Sequence, residues 1–300
     1  MLKDSSQQGA TLNMRHPSKM KSFREKLPQG LFFVIALVAL AALAVITVFI
    51  FIEGVPLIAK VGFFDFVFGM KWAPSLGQYG IFPMIIGTIL VTLGATILGV
   101  PVAICCSIFL TEFAPRRLSN VVRPAIQLLA GIPSVVYGFW GLIFIVPAIR
   151  NYLGGPGLSI LAGSVILAIM ILPTVISIAE VSMLALPRLL KEGAFALGAT
   201  HWQTIRGVLL PAARSGILAG VILGIGRAVG ETMAVIMVLG NAVALPDSIL
   251  APARTLTTNI GIEMGYASGE HQQALFATGI VLLVIIMILN SVAQFAVRRK

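Results

Sequence analysis

The sequence predicts an all-α integral membrane protein with six transmembrane helices. Of its 300 residues, 58% are hydrophobic and only 11% are charged, and the mean hydropathy is +1.00. A soluble domain typically carries about 25% charged residues. Several apolar runs are also long enough to cross a hydrocarbon core about 30 Å thick. These observations argue against a soluble enzyme or a soluble binding domain.

Residues 1–82 are predicted to form a tail, one transmembrane span and a surface segment. Residues 1–29 carry six basic residues against two acidic ones and no apolar face, which predicts a disordered basic tail. Residues 31–52 contain 22 uncharged residues and form the first predicted span. A secretory signal peptide is the alternative, but the apolar run is too long for one and no small-residue cleavage site follows it. Residues 53–82 mix aromatic and charged side chains, which predicts an external interfacial segment.

Five further apolar runs complete the predicted bundle. They cover approximately residues 84–111, 124–148, 158–186, 212–240 and 274–297. Gly87, Gly94 and Gly99 in the second run predict close helix packing. Pro133 is expected to bend the third run, because proline removes a backbone donor. We therefore divide the chain into the tail 1–29, a first span with its external segment (30–83), and a transmembrane domain (84–298).

The basic residues predict the orientation of these spans. With the N-terminus inside, sixteen of the 21 Lys and Arg residues fall in cytoplasmic segments, whereas Lys60, Lys71, Arg150 and Arg254 fall outside. This asymmetry follows the positive-inside rule and predicts that both termini are cytoplasmic. It also explains the net charge of +10 without nucleic-acid binding, which we do not expect.

A polar segment, residues 187–211, joins the fourth and fifth spans on the predicted cytoplasmic side. Residues 188–198 have helical propensity, and Gly198 allows the chain to turn. Two short helices joined at this glycine would project from the membrane as a docking element. The residues alone leave open an ordinary interfacial loop as the alternative.

The fifth predicted span places two charges inside the membrane. Arg227 lies about 15 residues past the predicted start of the span, or roughly 20 Å deep at helical rise. A charge at that depth costs at least about 2.5–3.5 kcal/mol on insertion scales. Glu231 follows four residues later and is expected on the same face, with Gly220 and Gly224 leaving space around the arginine. Two interpretations stay open: a structural ion pair, or an anion site on a water-filled path in which Glu231 neutralises Arg227 at rest.

Other polar residues are weaker candidates. Glu180 lies near the inner end of the fourth span, where it is expected either to line a path or gate or to meet cytoplasmic arginines. Glu112 is interpreted as a helix-end charge. The three histidines, His16, His201 and His271, are isolated in sequence and expected to be solvated, and we predict no metal site. The chain has no GxxxxGK[ST] motif, so it has no P-loop for ATP, and no covalent catalysis is expected.

The stretch EGAFALGATHWQTIRGVLLP, residues 192–211, resembles the EAA loop of ABC importer permeases. That loop is the coupling element that inserts into a cleft of the ATPase subunit. Gly193 stands where the pattern has its first alanine, whereas Glu192, Gly198 and the pair Leu210-Pro211 are in register. The resemblance implies that these four residues couple the chain to a separate ATPase.

Three further stretches, IFLTEFAP, AGIPSVVYGFWGL and GIGRAVGETMAVIMVLGN, resemble the PstC-type permease family of phosphate ABC importers. The resemblance runs from about residue 84 to 297 and implies the MetI-like type I importer fold. It implies a location in the bacterial inner membrane. It also implies three kinds of protein partner: a second permease, two ATP-binding subunits that use ATP and Mg²⁺, and an external phosphate-binding protein. No cofactor is expected on this chain. Arg227 and Glu231 would then lie on the phosphate path.

Three alternatives to phosphate import remain at this point. One is a permease for another oxyanion such as sulfate or molybdate. Another is a membrane signalling or scaffold subunit that uses residues 187–211 only for docking. The third is an ATP-independent anion channel, in which that segment has no role.

Overall fold

A computed structural model describes residues 19–298 of the chain. The chain divides into two compact units, one ending at Phe49 and the other beginning at Ile50. Residues 1–18 of the predicted basic tail lie outside the described part. The rest of that predicted tail is helical, because helix α1 begins at Lys19.

The described residues are almost entirely helical. In chain order the helices are α1 (Lys19–Val61), α2 (Phe63–Phe68), α3 (Phe82–Ile108), α4 (Arg116–Gly131), α5 (Ser134–Trp140), α6 (Val146–Tyr152), α7 (Ile160–Leu184), α8 (Arg188–Ala196), α9 (His201–Thr204), α10 (Leu210–Gly230), α11 (Met233–Val238), α12 (Leu256–Glu263) and α13 (Glu270–Arg298). π-Helical turns at Phe109–Phe113, Gly141–Ile145 and Ile205–Leu209 follow α3, α5 and α9. Strands β1 (Trp72–Ala73) and β2 (Gln78–Tyr79) form an antiparallel hairpin, with Trp72 opposite Tyr79 and Ala73 opposite Gln78.

Six helical segments of the described chain are long and apolar enough to cross a membrane, which confirms the predicted all-α fold with six spans. They are Gly30–Val61, Phe82–Phe113, Ser134–Tyr152, Ile160–Leu184, His201–Gly230 and Glu270–Val292. The boundaries of the third and fifth spans differ most from the prediction.

The predicted third span begins too early. Residues 116–131 form the separate helix α4, which carries arginines and other polar side chains beside apolar ones and is therefore amphipathic. This helix ends at Gly131, and Pro133 precedes the first residue of α5. Pro133 therefore begins a new helix, where its missing N–H costs nothing, and does not bend a continuous span.

The predicted fifth span is displaced at both ends. The helix runs without a break from His201 through a π-helical turn into α10, so Leu210-Pro211 lies inside it and does not mark its start. The helix stops at Gly230, since Glu231 has an extended backbone with φ −72° and ψ 131°. Helix α11 then begins at Met233. The fifth span therefore ends at Gly230, and a short break at Glu231 and Thr232, just after Arg227, separates α10 from α11.

The external segment is more buried than its aromatic composition suggested. Helix α1 continues to Val61, and the remaining residues form α2 and the β-hairpin. Phe66 is fully buried and Trp72 is 8% exposed, so these two rings belong to a core with Leu57 and Leu275. Phe63 and Phe64 stay exposed, as expected for interfacial aromatics.

Helix α7 is central to the larger unit, and glycines on its neighbours bring the backbones close to it. A Cβ atom at Gly94 of α3 would collide with Ser164 of α7. On α10, a Cβ atom at Gly220 would meet Ile178 and one at Gly224 would meet Val175. The last two glycines were expected to leave space around Arg227. They instead let α10 pack tightly on α7, because α7 fills that space.

Candidate functional site

Arg227 lies in the last turn of α10. One turn earlier, Gly224 packs against Val175 and Ile171 of the antiparallel helix α7. Arg227 is therefore level with the middle of α7, which runs from Ile160 to Leu184. The position is favourable for a cation, because the carbonyl groups at a helix C-terminus carry partial negative charge.

The guanidinium of Arg227 is available for a ligand. Among the described residues, no hydrogen bond or ion pair joins Arg227 to a protein group. Its charge lies within electrostatic range of Tyr137, whose hydroxyl donates to the carbonyl of Leu129 at 2.7 Å. The side chain is half-buried. A planar guanidinium without a protein partner matches the oxygen atoms of an oxyanion.

Glu231 does not pair with Arg227. The helix ends at Gly230, so the four-residue spacing does not place the two side chains on one helical face. The Glu231 carboxylate instead accepts a hydrogen bond from the backbone N–H of Ala234 at 3.1 Å. There it caps the start of α11, where backbone N–H groups lack helical partners. The predicted resting ion pair is therefore wrong for this conformation, and Arg227 and Glu231 lie at the two sides of the helix break.

Helix α12 covers the same break from the predicted outer side. Thr257 donates through its hydroxyl to the carbonyl oxygen of Glu231 at 2.9 Å. The backbone N–H of Leu256 donates to the Thr88 hydroxyl of α3 at 3.0 Å. The non-helical backbone around Glu231 is thus satisfied by side chains from neighbouring elements, as backbone at membrane depth requires.

A buried polar network holds α12 to the outer hairpin. The carboxylate of Glu263, whose side chain is 9% exposed, accepts from Arg254 at 2.6 Å, from His271 at 2.7 Å and from the indole of Trp72 at 2.9 Å. The expectation that His271 is solvated is therefore wrong. Trp72 is 191 residues from Glu263 in sequence, whereas Arg254 and His271 are 9 and 8 residues away, and no spacing signal groups the four.

Arg254 extends this network to two asparagines. It donates to the carbonyl of Asn241 and to the side-chain oxygen of Asn259, each at 3.0 Å. The Oδ1 atom of Asn241 and the Nδ2 atom of Asn259 are buried without a hydrogen-bond partner. Such atoms are normally satisfied by a bound water molecule or ligand.

On the surface predicted to be external, an ion pair joins Lys60 to Glu270 near the hairpin. Burial, and secondly the Glu270 carboxylate, raise the pKa of Tyr79. The Tyr79 phenol is therefore neutral near pH 7, and it adds no charge to this surface.

Glu180 is not brought together with Arg227. Its carboxylate accepts from the Arg123 guanidinium of α4 at 2.6 Å, which agrees with the expected contact to a cytoplasmic arginine. Gly216 packs against Ser182 and Gly220 against Ile178, so Glu180 is level with the middle of α10. Arg227 lies two to three helical turns further along. A role for Glu180 in a path or gate stays a prediction.

The coupling segment, residues 187–211, contains the predicted turn at Gly198 after the short helix α8, but the second predicted short helix is wrong, because α9 is the first turn of the long helix that continues into α10. Gly198 lies between α8 and α9 with φ +82°, a conformation that L side chains rarely adopt. Thr200 then begins α9 with a reciprocal capping box: its hydroxyl accepts from the Gln203 N–H, and the Gln203 side chain accepts from the Thr200 N–H. Glu192 is exposed on α8.

Large apolar side chains of the coupling segment are exposed. Leu197 is 90% exposed, Leu189 77% and Trp202 57%. Leu189 lies on α8 with Glu192, Leu197 follows α8, and Trp202 lies on α9. Exposed apolar surface rimmed by polar residues marks protein-interaction sites. This surface suits a partner with an apolar cleft.

One contact of the coupling segment was missed in sequence. Glu112, which follows α3, accepts from Lys191 at 2.5 Å and from His201 at 3.1 Å. The histidine was expected to be solvated, but its ring also packs on Phe113 with centroids 4.8 Å apart. No local pattern connects residues 112 and 201. The interpretation of Glu112 as a plain helix-end charge therefore missed its two partners, Lys191 and His201.

Comparison with known proteins gives relatives along most of the chain. Residues 99–300 match the family model described as "Binding-protein-dependent transport system inner membrane component". A probable ABC transporter permease protein, YqgH of Bacillus subtilis, is 45% identical over 83% of this chain and 83% of its own length. The phosphate transport system permease protein PstC of Xylella fastidiosa is 38% identical over 78% of this chain and 79% of its own length.

Solved structures show the same fold. A chain of the MetNI methionine ABC transporter, in an inward-facing conformation, aligns with a TM-score of 0.60 and 20% identity, covering 76% of this chain and 98% of that one. A chain of a bacterial ABC transporter that imports alginate aligns with a TM-score of 0.56 and 19% identity over 92% and 100% of the two chains. The fold is therefore that of MetI-type ABC importer permeases. The chain belongs to the family of binding-protein-dependent transport system inner membrane components.

Proposed function

We propose that this chain is the permease subunit of an ATP-driven ABC importer that moves inorganic phosphate into the cytoplasm by alternating access. The observation that carries the proposal is Arg227, whose guanidinium has no hydrogen bond or ion pair among the described residues and which lies beside the break between α10 and α11. A buried charge costs several kcal/mol unless a ligand or partner compensates it. An oxyanion in transit is such a ligand, and broken helices line substrate sites in transporters.

Phosphate is favoured over other oxyanions by two considerations. Relatives at 35–38% identity, over about four-fifths of their length, are named phosphate transport system permease protein PstC. Phosphate also carries a proton at neutral pH, whereas sulfate and molybdate do not. The carboxylate of Glu231, across the break from Arg227, would accept a hydrogen bond or a proton from hydrogen phosphate. The same carboxylate would repel an oxyanion that has no proton.

The remaining parts of the importer are proposed as partner subunits. A second permease would complete the path, and an external phosphate-binding protein would deliver the substrate. Two ATP-binding subunits would use ATP and Mg²⁺ and dock on the coupling segment, at Glu192, Gly198 and the exposed apolar surface around them. Leu210 and Pro211 would transmit the movement, because they lie inside the helix that continues to Arg227.

The orientation and location follow from the same proposal. Both termini and the coupling segment would face the cytoplasm of a bacterium, with the hairpin outside the inner membrane. Residues 84–298 would form the importer domain, and residues 30–83 would add the first span and the outer surface. Glu180 would act on the inner side of the path together with Arg123.

Uptake of labelled phosphate into vesicles tests this function. The vesicles would contain the chain with a second permease and the ATP-binding subunits, with binding protein added outside. We expect ATP-dependent uptake of phosphate that excess sulfate and molybdate do not inhibit. Inhibition by either anion would favour the other-oxyanion permease, uptake without ATP would favour the channel, and no transport by an assembled complex would favour the signalling or scaffold subunit.

The variant Glu192→Ala tests the coupling surface in the same vesicles. Loss of the exposed carboxylate is expected to lower ATP-driven uptake while the complex still assembles. The substitution Arg117→Gln removes an exposed charge on the same predicted side, from α4, and serves as the control. Equal loss in both variants would show a general charge effect and would contradict the assignment of Glu192.

A further inference from the structure

Glu112 contacts both helices of the coupling segment at once. It lies in the π-helical turn Phe109–Phe113 that continues α3. Lys191 of α8 donates to it at 2.5 Å and His201 of α9 at 3.1 Å, through the same oxygen, Oε2. The turn at Gly198 separates these two donors in sequence, so one carboxylate fixes both sides of that turn to the end of α3.

The burial of Glu112 argues against a solvated helix-end charge. Its side chain is only 11% exposed, whereas Lys191 and His201 are 37% and 38% exposed. A carboxylate removed from water is strongly disfavoured without partners, so these donors determine where the coupling segment can rest. The segment and the end of α3 also line a common cavity of about 490 Å³, which includes Glu112, Glu192 and Phe195.

The other end of α3 reaches the helix break beside Arg227. Helix α3 has 27 residues and is therefore about 40 Å long. Near its outer end, Gly87 lets the backbone carbonyl of Arg254 approach, and the Thr88 hydroxyl accepts the N–H of Leu256 at 3.0 Å. The next residue, Thr257, donates to the carbonyl of Glu231 at 2.9 Å. Close packing at Gly94 and Gly99 holds α3 against α7 along this part of its length.

We propose that Glu112 is a positioning residue that fastens the coupling segment to α3, so that movement of the segment reaches the outer side of the Arg227 break through α3 as well as through α10. This inference rests on the proposed function, since the moving partner is the ATP-binding subunit. Helix α10 acts on Arg227 directly from the inner side. Helix α3 acts through Thr88, Leu256 and Thr257 on the backbone of Glu231. The two connections together would open one side of the path while the other closes.

The test measures phosphate uptake and ATP hydrolysis in the same vesicles containing the full complex, and compares their ratio. Glu112→Gln is expected to lower the ratio of phosphate to ATP by about fivefold or more while ATP hydrolysis continues. Glu112→Lys, facing Lys191, should lower it further. The double variant Glu112→Lys/Lys191→Glu should restore much of the ratio, because the attraction is rebuilt with the charges exchanged. Arg117→Gln is the control and should keep the wild-type ratio.

A matched pair of variants at Thr88 tests the outer end of α3. Thr88→Val removes the hydroxyl that accepts from Leu256 and should also lower the ratio, whereas Thr88→Ser keeps the hydroxyl and should not. A wild-type ratio in Thr88→Val would overturn the route through α3.

The outcomes separate this inference from the proposed function. A wild-type complex that takes up no phosphate would refute the function itself. A wild-type complex that transports normally, with an unchanged ratio in Glu112→Gln, would refute only the role of Glu112. If the single variants fail to assemble, the double variant decides: restored transport supports the role, and lack of restoration overturns it.

Discussion

Glu231, in the break between α10 and α11, is joined to Ala234 in the first turn of α11, where its carboxylate accepts the backbone N–H at 3.1 Å. This bond holds the negative charge at the start of α11 and leaves Arg227 without it. The arginine and the carboxylate are thus two separate groups on either side of a gap in the helix. That arrangement suits a path in which the cation attracts the oxyanion and the carboxylate selects its protonated form.

Substitutions at Glu231 should separate its charge from its capping bond. Glu231→Gln keeps an oxygen that can accept the Ala234 N–H but loses the charge. We expect phosphate uptake to fall by about tenfold or more, equivalent to about 1.4 kcal/mol in the barrier, with the thermal stability unchanged. Glu231→Ala also loses the cap, which costs about 0.5–2 kcal/mol, so its unfolding temperature should fall as well. Equal transport by wild type and Glu231→Gln would reject the selective role.

The buried polar network around Glu263 predicts that substitution of Glu263 lowers the stability strongly, whereas substitution of the exposed Glu270 lowers it only slightly. Glu263 is 9% exposed and serves three donors, so Glu263→Gln leaves the buried Arg254 without a charged acceptor. Removing one partner of a buried pair costs about 3–5 kcal/mol. The exposed pair of Glu270 and Lys60 is screened by water, so Glu270→Gln should leave stability nearly unchanged.

Thermal unfolding of the purified chain in detergent measures both variants. The unfolding temperature should fall clearly for Glu263→Gln and stay near the wild-type value for Glu270→Gln. Similar shifts for the two variants would contradict the structural importance of the buried network.

Two glycines of α10 offer a packing test. A Cβ atom at Gly216 would collide with Ser182 of α7, whereas one at Gly226 has no atom within 4 Å. Gly216→Ala should therefore destabilise the chain by about 1–3 kcal/mol through overpacking. Gly226→Ala should be neutral or slightly stabilising, since alanine favours a helix by about 1 kcal/mol. The same unfolding measurement on the isolated chain checks the pair, and a stability loss in Gly226→Ala alone would contradict the packing of α10 on α7.

Local patterns in the sequence were sufficient for the number of spans and for helix α8 with the turn at Gly198 that follows it. Apolar runs identify spans because their length matches the bilayer, and Gly198 marked the turn because glycine tolerates a positive φ. The break after Gly230 was not predicted, because GETMAV is as apolar as its surroundings apart from Glu231. Its cause is tertiary: Thr257 and the carboxylate of Glu231 satisfy the backbone there.

The contacts missed in sequence are those between distant segments. Glu112 meets His201, and Glu263 meets Trp72, with no periodicity to connect either pair. The sequence does show that Glu112 follows the end of an apolar run, where a charge needs a partner, whereas Glu263 lies in the polar segment between the fifth and sixth runs. The identity of that partner depends on how the helices pack, which a single sequence does not reveal.

The rate of phosphate uptake by complexes containing Arg227→Ala and Arg227→Lys tests the central claim most directly. Rates are normalised to the amount of assembled complex, with Arg117→Gln as the charge control. If Arg227 is the anion site, Arg227→Ala abolishes uptake without loss of assembly. Arg227→Lys should retain only part of the activity, because an ammonium lacks the planar fork that matches two oxygens. Normal uptake by an assembled Arg227→Ala complex would contradict the account.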